Sequence, residues 1–112
     1  TFQGEAIKLN GAGLTNADLS GATLTASAFG DASTIDFTDA NLTNADLSGS
    51  KLSATAHSYS YSYGLKGDAS IDFTGASLAN ADLSDSELTA VGDNHATIDF
   101  SEADLASTDL SG

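Results

Sequence analysis

The chain lacks several residue types, and each absence excludes a class of protein. It contains no Cys, so disulfides, thiolate-bound metals and thiol chemistry are excluded. Pro is absent too, which suits a structure of paired backbone, because Pro cannot donate a ladder hydrogen bond. No run of about 18 apolar residues occurs, so no membrane-spanning segment is predicted. The chain begins at Thr1 and has no Met, from which we expect a product whose leader has been removed.

Positive charge is scarce as well. Lys and Arg together number 3, against 16 acidic residues, and the formal net charge is −13. Direct binding to nucleic-acid phosphates requires Lys and Arg, so this class of function is excluded. Attraction to an anionic membrane surface is disfavoured for the same reason. A protein partner with a basic surface, bound cations, or plain solubility remain as explanations of the charge.

What the chain does contain is a large apolar residue at every fifth position. A helix needs apolar residues every 3.6 positions and a strand needs them every second position, so neither fits. A short extended piece followed by a corner does fit, with Gly or a small polar residue at the corner. The large residues of this repeat are Leu9, Leu14, Leu19, Leu24; Phe37, Leu42, Leu47, Leu52; Phe73, Leu78, Leu83, Leu88; and Phe100, Leu105, Leu110.

The repeats form four blocks, at 7–26, 35–54, 71–90 and 98–112, and each block opens with Ile. The first three blocks hold four pentads each and the last holds three. Four pentads per block predict a coil with four sides, and stacked coils would bury a common apolar column. The whole chain, 1–112, is therefore predicted to be one solenoid domain.

These pentads resemble the pentapeptide-repeat family, whose signature is Ala-(Asp/Asn)-Leu-x-x. The resemblance implies an all-β fold: a right-handed, four-sided (quadrilateral) parallel β-helix solenoid of about four coils. The triplets that carry it are Ala17-Asp18-Leu19, Ala40-Asn41-Leu42, Ala45-Asp46-Leu47, Ala81-Asp82-Leu83 and Ala103-Asp104-Leu105.

Three insertions depart from the family pattern, at 27–34, 55–70 and 91–97. Each follows the same point in the coil, so we expect loop insertions that emerge from one corner and stack as a ridge. The second insertion holds Tyr59, Tyr61 and Tyr63, whose alternation puts them on one side of an extended stretch. Two interpretations stay open: a loop that covers the solenoid flank, and an exposed tyrosine strip for a partner.

Aligning the blocks predicts columns of like residues on the outer faces. Asp18, Asp46, Asp82 and Asp109 should form one column of partner-binding candidates. A second column should consist of Lys8, Asp36, Asp72 and Asp99. A third should consist of Asn16, Asn44 and Asn80, whose side-chain amides could hydrogen-bond to one another along the column. The aspartates could satisfy local backbone donors, dock a basic partner, hold cations, or mimic nucleic-acid phosphates.

Catalysis has little support. His57 and His95 both lie in insertions, within possible range of Asp68 or Asp93, but the sequence has no phosphate loop or zinc or calcium spacing. We therefore expect a non-enzymatic protein without a cofactor or a metal.

The function expected is a rigid protein-interaction or structural module that docks as an accessory subunit on a larger assembly. The family's occurrence implies a photosynthetic membrane complex as one setting, in the thylakoid lumen, with the bacterial cytoplasm as the alternative. The resemblance also allows a DNA-mimicking regulator of a type II topoisomerase. Ice binding is a third interpretation, on the column Thr25, Ser53 and Thr89, although charged Lys51 and Glu87 interrupt that face. The oligomeric state is left open.

Overall fold

Two parallel β-sheets form the body of the protein. The computed structural model describes residues 2–4, 6–29, 32–57 and 67–112. Sheet A has the order β1-β3-β5-β7 and sheet B the order β2-β4-β6-β8. The strands are β1 Phe2–Gly4, β2 Ala6–Lys8, β3 Thr23–Phe29, β4 Ser33–Asp36, β5 Lys51–His57, β6 Asp68–Asp72, β7 Glu87–Gly92 and β8 His95–Asp99.

Two columns of single bridges run beside the sheets, so each coil takes part in four parallel ladders. One column joins Gly13, Asn41, Ser77 and Asp104, and the other joins Asp18, Asp46, Asp82 and Asp109. This confirms the predicted parallel β-solenoid. The right-handed winding and the square outline of the coil stay predictions.

The openings of the four blocks lie directly over one another. Ile7 pairs with Ile35, Ile35 with Ile71, and Ile71 with Ile98, although unequal lengths of chain separate them. The pentads therefore set the register, and the insertions absorb the difference in length.

A turn with a left-handed residue separates consecutive pentads. Where one pentad follows another within a block, the carbonyl of the large residue accepts a hydrogen bond from the N–H three residues later, as Leu19 does from Ala22 at 3.0 Å. The residue at the third position of the turn has a positive φ, which is the pattern of a type II turn. These residues are Gly11, Asp39, Gly75 and Glu102; Asn16, Asn44, Asn80 and Ser107; and Gly21, Gly49, Asp85 and Gly112. The asparagine column thus has a local cause, since Asn tolerates this backbone conformation better than most residues.

The large residue of each pentad points into the coil and stacks on its counterpart in the next. Phe37 and Phe73 are fully buried, and their parallel rings lie 4.8 Å apart. Phe100 continues this column at the same 4.8 Å spacing. Ala fills the narrow positions beside the turns, where Ala40, Ala45, Ala76 and Ala81 are buried.

The insertions are partly strand, which corrects the prediction that they are loops. Strands β3, β5 and β7 run on past the corner, pairing Ala28 with Ala56 and Ala56 with Gly92. The returning strands pair Ser33 with Ala69 in sheet B. Small buried side chains, among them Ala28, Ala56, Ser33 and Ala69, occupy this extension of the two sheets. A Cβ added to Gly67 would lie 2.6 Å from the Ala56 Cβ, so only Gly fits there without a shift of the backbone.

Among the described residues, no helix combines the length and the hydrophobicity that a membrane crossing needs.

Leu47→Ala should lower the free energy of unfolding by about 2–5 kcal/mol, because Leu47 is 1 % exposed and its loss leaves a cavity in the column. Leu110 holds the same pentad position but is 59 % exposed, so Leu110→Ala should cost less than about 1 kcal/mol. Urea unfolding followed by circular dichroism measures both. Equal costs would contradict the stacking described above.

Glu102→Gly should raise the free energy of unfolding by about 0.5–1 kcal/mol. Glu102 has a φ of 58°, where a Cβ is strained and Gly is not. Glu102→Ala removes the same charge but keeps the Cβ, so it should change stability by less than about 0.5 kcal/mol. Thermal unfolding of both variants tests this, and an equal gain from Ala would show that the charge, not the backbone, was responsible.

Candidate interaction surface

The four candidate aspartates form the column that the sequence predicts. Asp18, Asp46, Asp82 and Asp109 are joined by consecutive parallel bridges, with one carboxylate on each coil. Successive coils are about 4.8 Å apart, so the column carries negative charge at a fixed step. Whether this column binds a partner stays a prediction.

Each carboxylate in the column is anchored to its own corner. Oδ1 of Asp46 accepts hydrogen bonds from the Ser48 backbone N–H, at 2.9 Å, and from the Ser48 hydroxyl, at 2.6 Å. Asp18 and Asp82 accept the same pair of bonds from Ser20 and Ser84, and Asp109 accepts the backbone bond from Ser111. These bonds satisfy corner N–H groups and fix the side chains, since Asp commonly bonds the backbone two residues on.

A second acidic column follows sheet B, also as predicted. Lys8, Asp36, Asp72 and Asp99 are paired in succession. Oδ1 of Asp36 accepts the Thr38 backbone N–H at 2.8 Å, and Asp72 and Asp99 accept the equivalent bonds. The same local bond therefore recurs on a second side of the coil.

Serine donors favour the ionised form of three of these carboxylates. The side-chain hydrogen bond from Ser20, followed by its backbone bond, lowers the pKa of Asp18 below its usual value. Ser111 lowers the pKa of Asp109, and Ser101 lowers that of Asp99, in the same way. Hydrogen bonds to the charged form favour it, so the lowering has the same physical cause in all three residues.

Sheet A has a different outer face. Of the acidic residues in the described ranges, Glu87 alone lies in a strand of sheet A, and its carboxylate is 3.7 Å from the Lys51 ammonium. Hydroxyl side chains line the rest of this face, with Thr25, Ser53 and Thr89 in one column. The charge of the rod is therefore concentrated on the other sides.

Two exposed apolar residues on sheet A were not singled out from the sequence. Phe29 is 61 % exposed and Val91 is 48 % exposed. The Phe29 ring stacks on His57, with centroids 5.1 Å apart. Inward and outward side chains alternate along β3 and β7, and continuing this alternation past Ala26 and Ala90 places Phe29 and Val91 on the outside. The sequence analysis did not predict that these strands continue past the corner.

The remaining candidate residues divide into two groups. Tyr59, Tyr61 and Tyr63 lie outside the described residues. His95 does meet Asp68, with Nδ1 and Oδ1 3.3 Å apart, and Asn94 joins them. In the part of the chain that the structure describes, no three His, Asp or Glu side chains are grouped so as to hold a metal ion.

Ser20→Ala should raise the pKa of Asp18 towards the ordinary value of about 3.9, because the hydroxyl is the largest cause of the lowering. A carboxyl group whose pKa is lower in the folded state stabilises that state at pH values above its unfolded-state pKa. This stabilisation is lost as the pH falls through the folded-state pKa. The variant should therefore be less stable than the parent at pH 7, with the difference vanishing once Asp18 is protonated in both states.

NMR titration of the side-chain carboxyl resonances measures this shift. Ser27→Ala, an exposed substitution on β3, is the control and should leave the Asp18 titration unchanged. An unaltered pKa of Asp18 in Ser20→Ala would contradict the assigned cause.

The comparisons with known proteins agree with this geometry. The family described as Pentapeptide repeats matches residues 31–55 and 70–91, with eight copies of the repeat. No curated protein and no solved structure matches the chain. The matched residues include the second and third blocks, whose Leu columns and Asp corners are described above. The chain is therefore a pentapeptide-repeat protein.

Proposed function

We propose that this protein is a rigid, non-enzymatic interaction module that docks the basic surface of a protein partner on its column of Asp18, Asp46, Asp82 and Asp109. The observation that carries the proposal is the regular placement of one backbone-anchored carboxylate on each of four successive coils. Pentapeptide-repeat proteins generally serve as structural or interaction modules, which supports a binding role.

The geometry favours binding because the side chains are already ordered. Oδ1 of each aspartate is held by the corner, and these residues are exposed or only half-buried, so carboxylate oxygen remains accessible to a partner. A partner that meets pre-positioned groups loses less conformational entropy than one that must order flexible side chains. Complementary charge would also speed the encounter of the two proteins.

We propose that this protein is an accessory subunit of a larger complex. A photosynthetic membrane complex in the thylakoid lumen is one such setting.

A DNA-mimicking regulator of a type II topoisomerase is the second candidate, because the aligned carboxylates on two sides of the coil resemble a regular array of phosphates. A gyrase supercoiling assay at micromolar protein separates the two, since only the second candidate alters supercoiling.

Asp46→Asn/Asp82→Asn tests the proposed docking column. Asn41 accepts the Thr43 N–H at 3.1 Å at the equivalent point of another face, so Asn can keep the corner bond while removing the charge. We expect capture of the partner from a lysate of the source cells to fall at least about tenfold, as expected for two lost charge contacts of about 1 kcal/mol each.

The matched control is Asp39→Asn/Asp85→Asn, which removes the same charge at turn positions where Asn is well tolerated. It should leave capture within about twofold of the parent. Equal losses in the two double variants would show that net charge, rather than the column, determines binding, and would contradict the proposal.

A further inference from the structure

A hydrogen-bonded cluster lies where strands β7 and β8 are joined. Asp68 on β6 pairs in register with His95 on β8, and Asn94 precedes His95 in the turn. The Asn94 amide nitrogen lies 2.8 Å from Asp68 Oδ1 and 2.7 Å from His95 Nδ1. The His95 Nδ1 atom is itself 3.3 Å from the same carboxylate oxygen.

The contact with Asn94 favours one protonation state of the His95 ring. An amide nitrogen only donates hydrogen bonds, so the His95 Nδ1 atom that it approaches must carry a lone pair. The ring is then neutral, with its proton on Nε2. The two amide hydrogens of Asn94 serve two acceptors, the ring nitrogen and the carboxylate.

Protonation of the ring makes the arrangement impossible. Both ring nitrogens of a charged histidine are donors, so the 2.7 Å contact with Asn94 would set one donor against another. The new Nδ1–H instead faces the negatively charged Asp68 oxygen. We propose that Asp68, Asn94 and His95 form a proton-controlled switch, in which the Asn94 amide bridges the other two when His95 is neutral and is displaced when His95 is charged.

The switch is attached near both ends of the second insertion. The Asn94 backbone N–H donates to the Gly67 carbonyl at 3.0 Å, and the Asp93 N–H donates to the Ala56 carbonyl at 3.3 Å. Ala56 and Gly67 stand close together, with no room for a Cβ on Gly67. A rearrangement of Asn94 therefore acts on the hydrogen bonds to Ala56 and Gly67.

Few other charges in the described part of the chain bear on the His95 ring. Asp93 neighbours Asn94 in the turn, and Asp68 is the charged group on β6 that faces the ring. Asp72 and Asp99 lie four residues farther along β6 and β8, about 13 Å away, and Glu87 lies at the opposite end of β7. Such distances exceed the screening length at physiological salt, so Asp68 is the dominant partner.

Side-chain NMR across pH 5 to 8, where histidines change charge, tests the switch. At pH 8 we expect His95 to carry its proton on Nε2, and the Asn94 side-chain amide resonances to follow the His95 titration as the pH falls. The Gly67 amide resonance should move with them. A neutral His95 protonated on Nδ1, or Asn94 resonances that ignore its titration, would overturn the proposal.

Two variants and an internal control sharpen the measurement. Asn94→Ala should abolish the coupled movement of the Gly67 amide, and Asp68→Asn should reduce the displacement of the Asn94 amide at low pH, because the charged ring then no longer faces a carboxylate. His57, whose ring stacks on Phe29, reports on histidine titration elsewhere in the same molecule. If the Gly67 amide shift with pH persisted in Asn94→Ala, or followed His57 instead, the assignment would be wrong.

Discussion

The stacking of one coil on the next, in a fixed register, is the constraint on which the rest of the structure depends. Parallel backbone pairing holds each coil to its neighbours, but pairing alone would allow the coils to slip. The large residue of each pentad prevents this, because a slip of one residue would turn Leu47 out of the column and a polar neighbour into it. The columns of Phe, Leu, Asp and Asn all follow from this one register.

The aspartates show how one residue can serve two needs. A corner has a backbone N–H two residues after the outward side chain, and at many corners Asp supplies its acceptor, as Asp46 does for Ser48. The same carboxylate remains charged and lies in line with those of the coils above and below it. A column that arises from local folding requirements can therefore also act as a binding surface, because the bonds that stabilise the corner also hold the charges in place.

The two sides of the rod differ in a way that bears on its role. Asp columns follow sheet B and the single-bridge ladder of Asp18, Asp46, Asp82 and Asp109. Among the described residues, sheet A offers hydroxyls, the Lys51–Glu87 ion pair and the exposed Phe29 and Val91. A partner with a basic surface would meet the acidic columns without displacing the neutral face. The extended strands at the corner, with the cluster around His95, add a third region whose hydrogen bonds respond to protonation.

The sequence alone determined the solenoid, its register and its outer columns, because the five-residue spacing admits neither a helix nor a flat sheet. Leu42 and Leu47 could be placed inside, and Asp18 beneath or above Asp46, from the spacing alone. It did not reveal that β3 and β5 continue past Ala26 and Ala54, since continuation depends on backbone pairing between coils rather than on local pattern.

Only the tertiary structure decided which distant residues meet at the corner. Asp68 and His95 become partners because β6 and β8 lie side by side, although 27 residues separate them. The tertiary structure also explains why Asn occupies positions 44 and 80: the backbone at these turns is left-handed, a conformation that Asn tolerates well. The spacing of residues along the chain determines which face of the coil a side chain occupies. Contacts between coils of unequal length depend on how the insertions pack, and local spacing does not determine this packing.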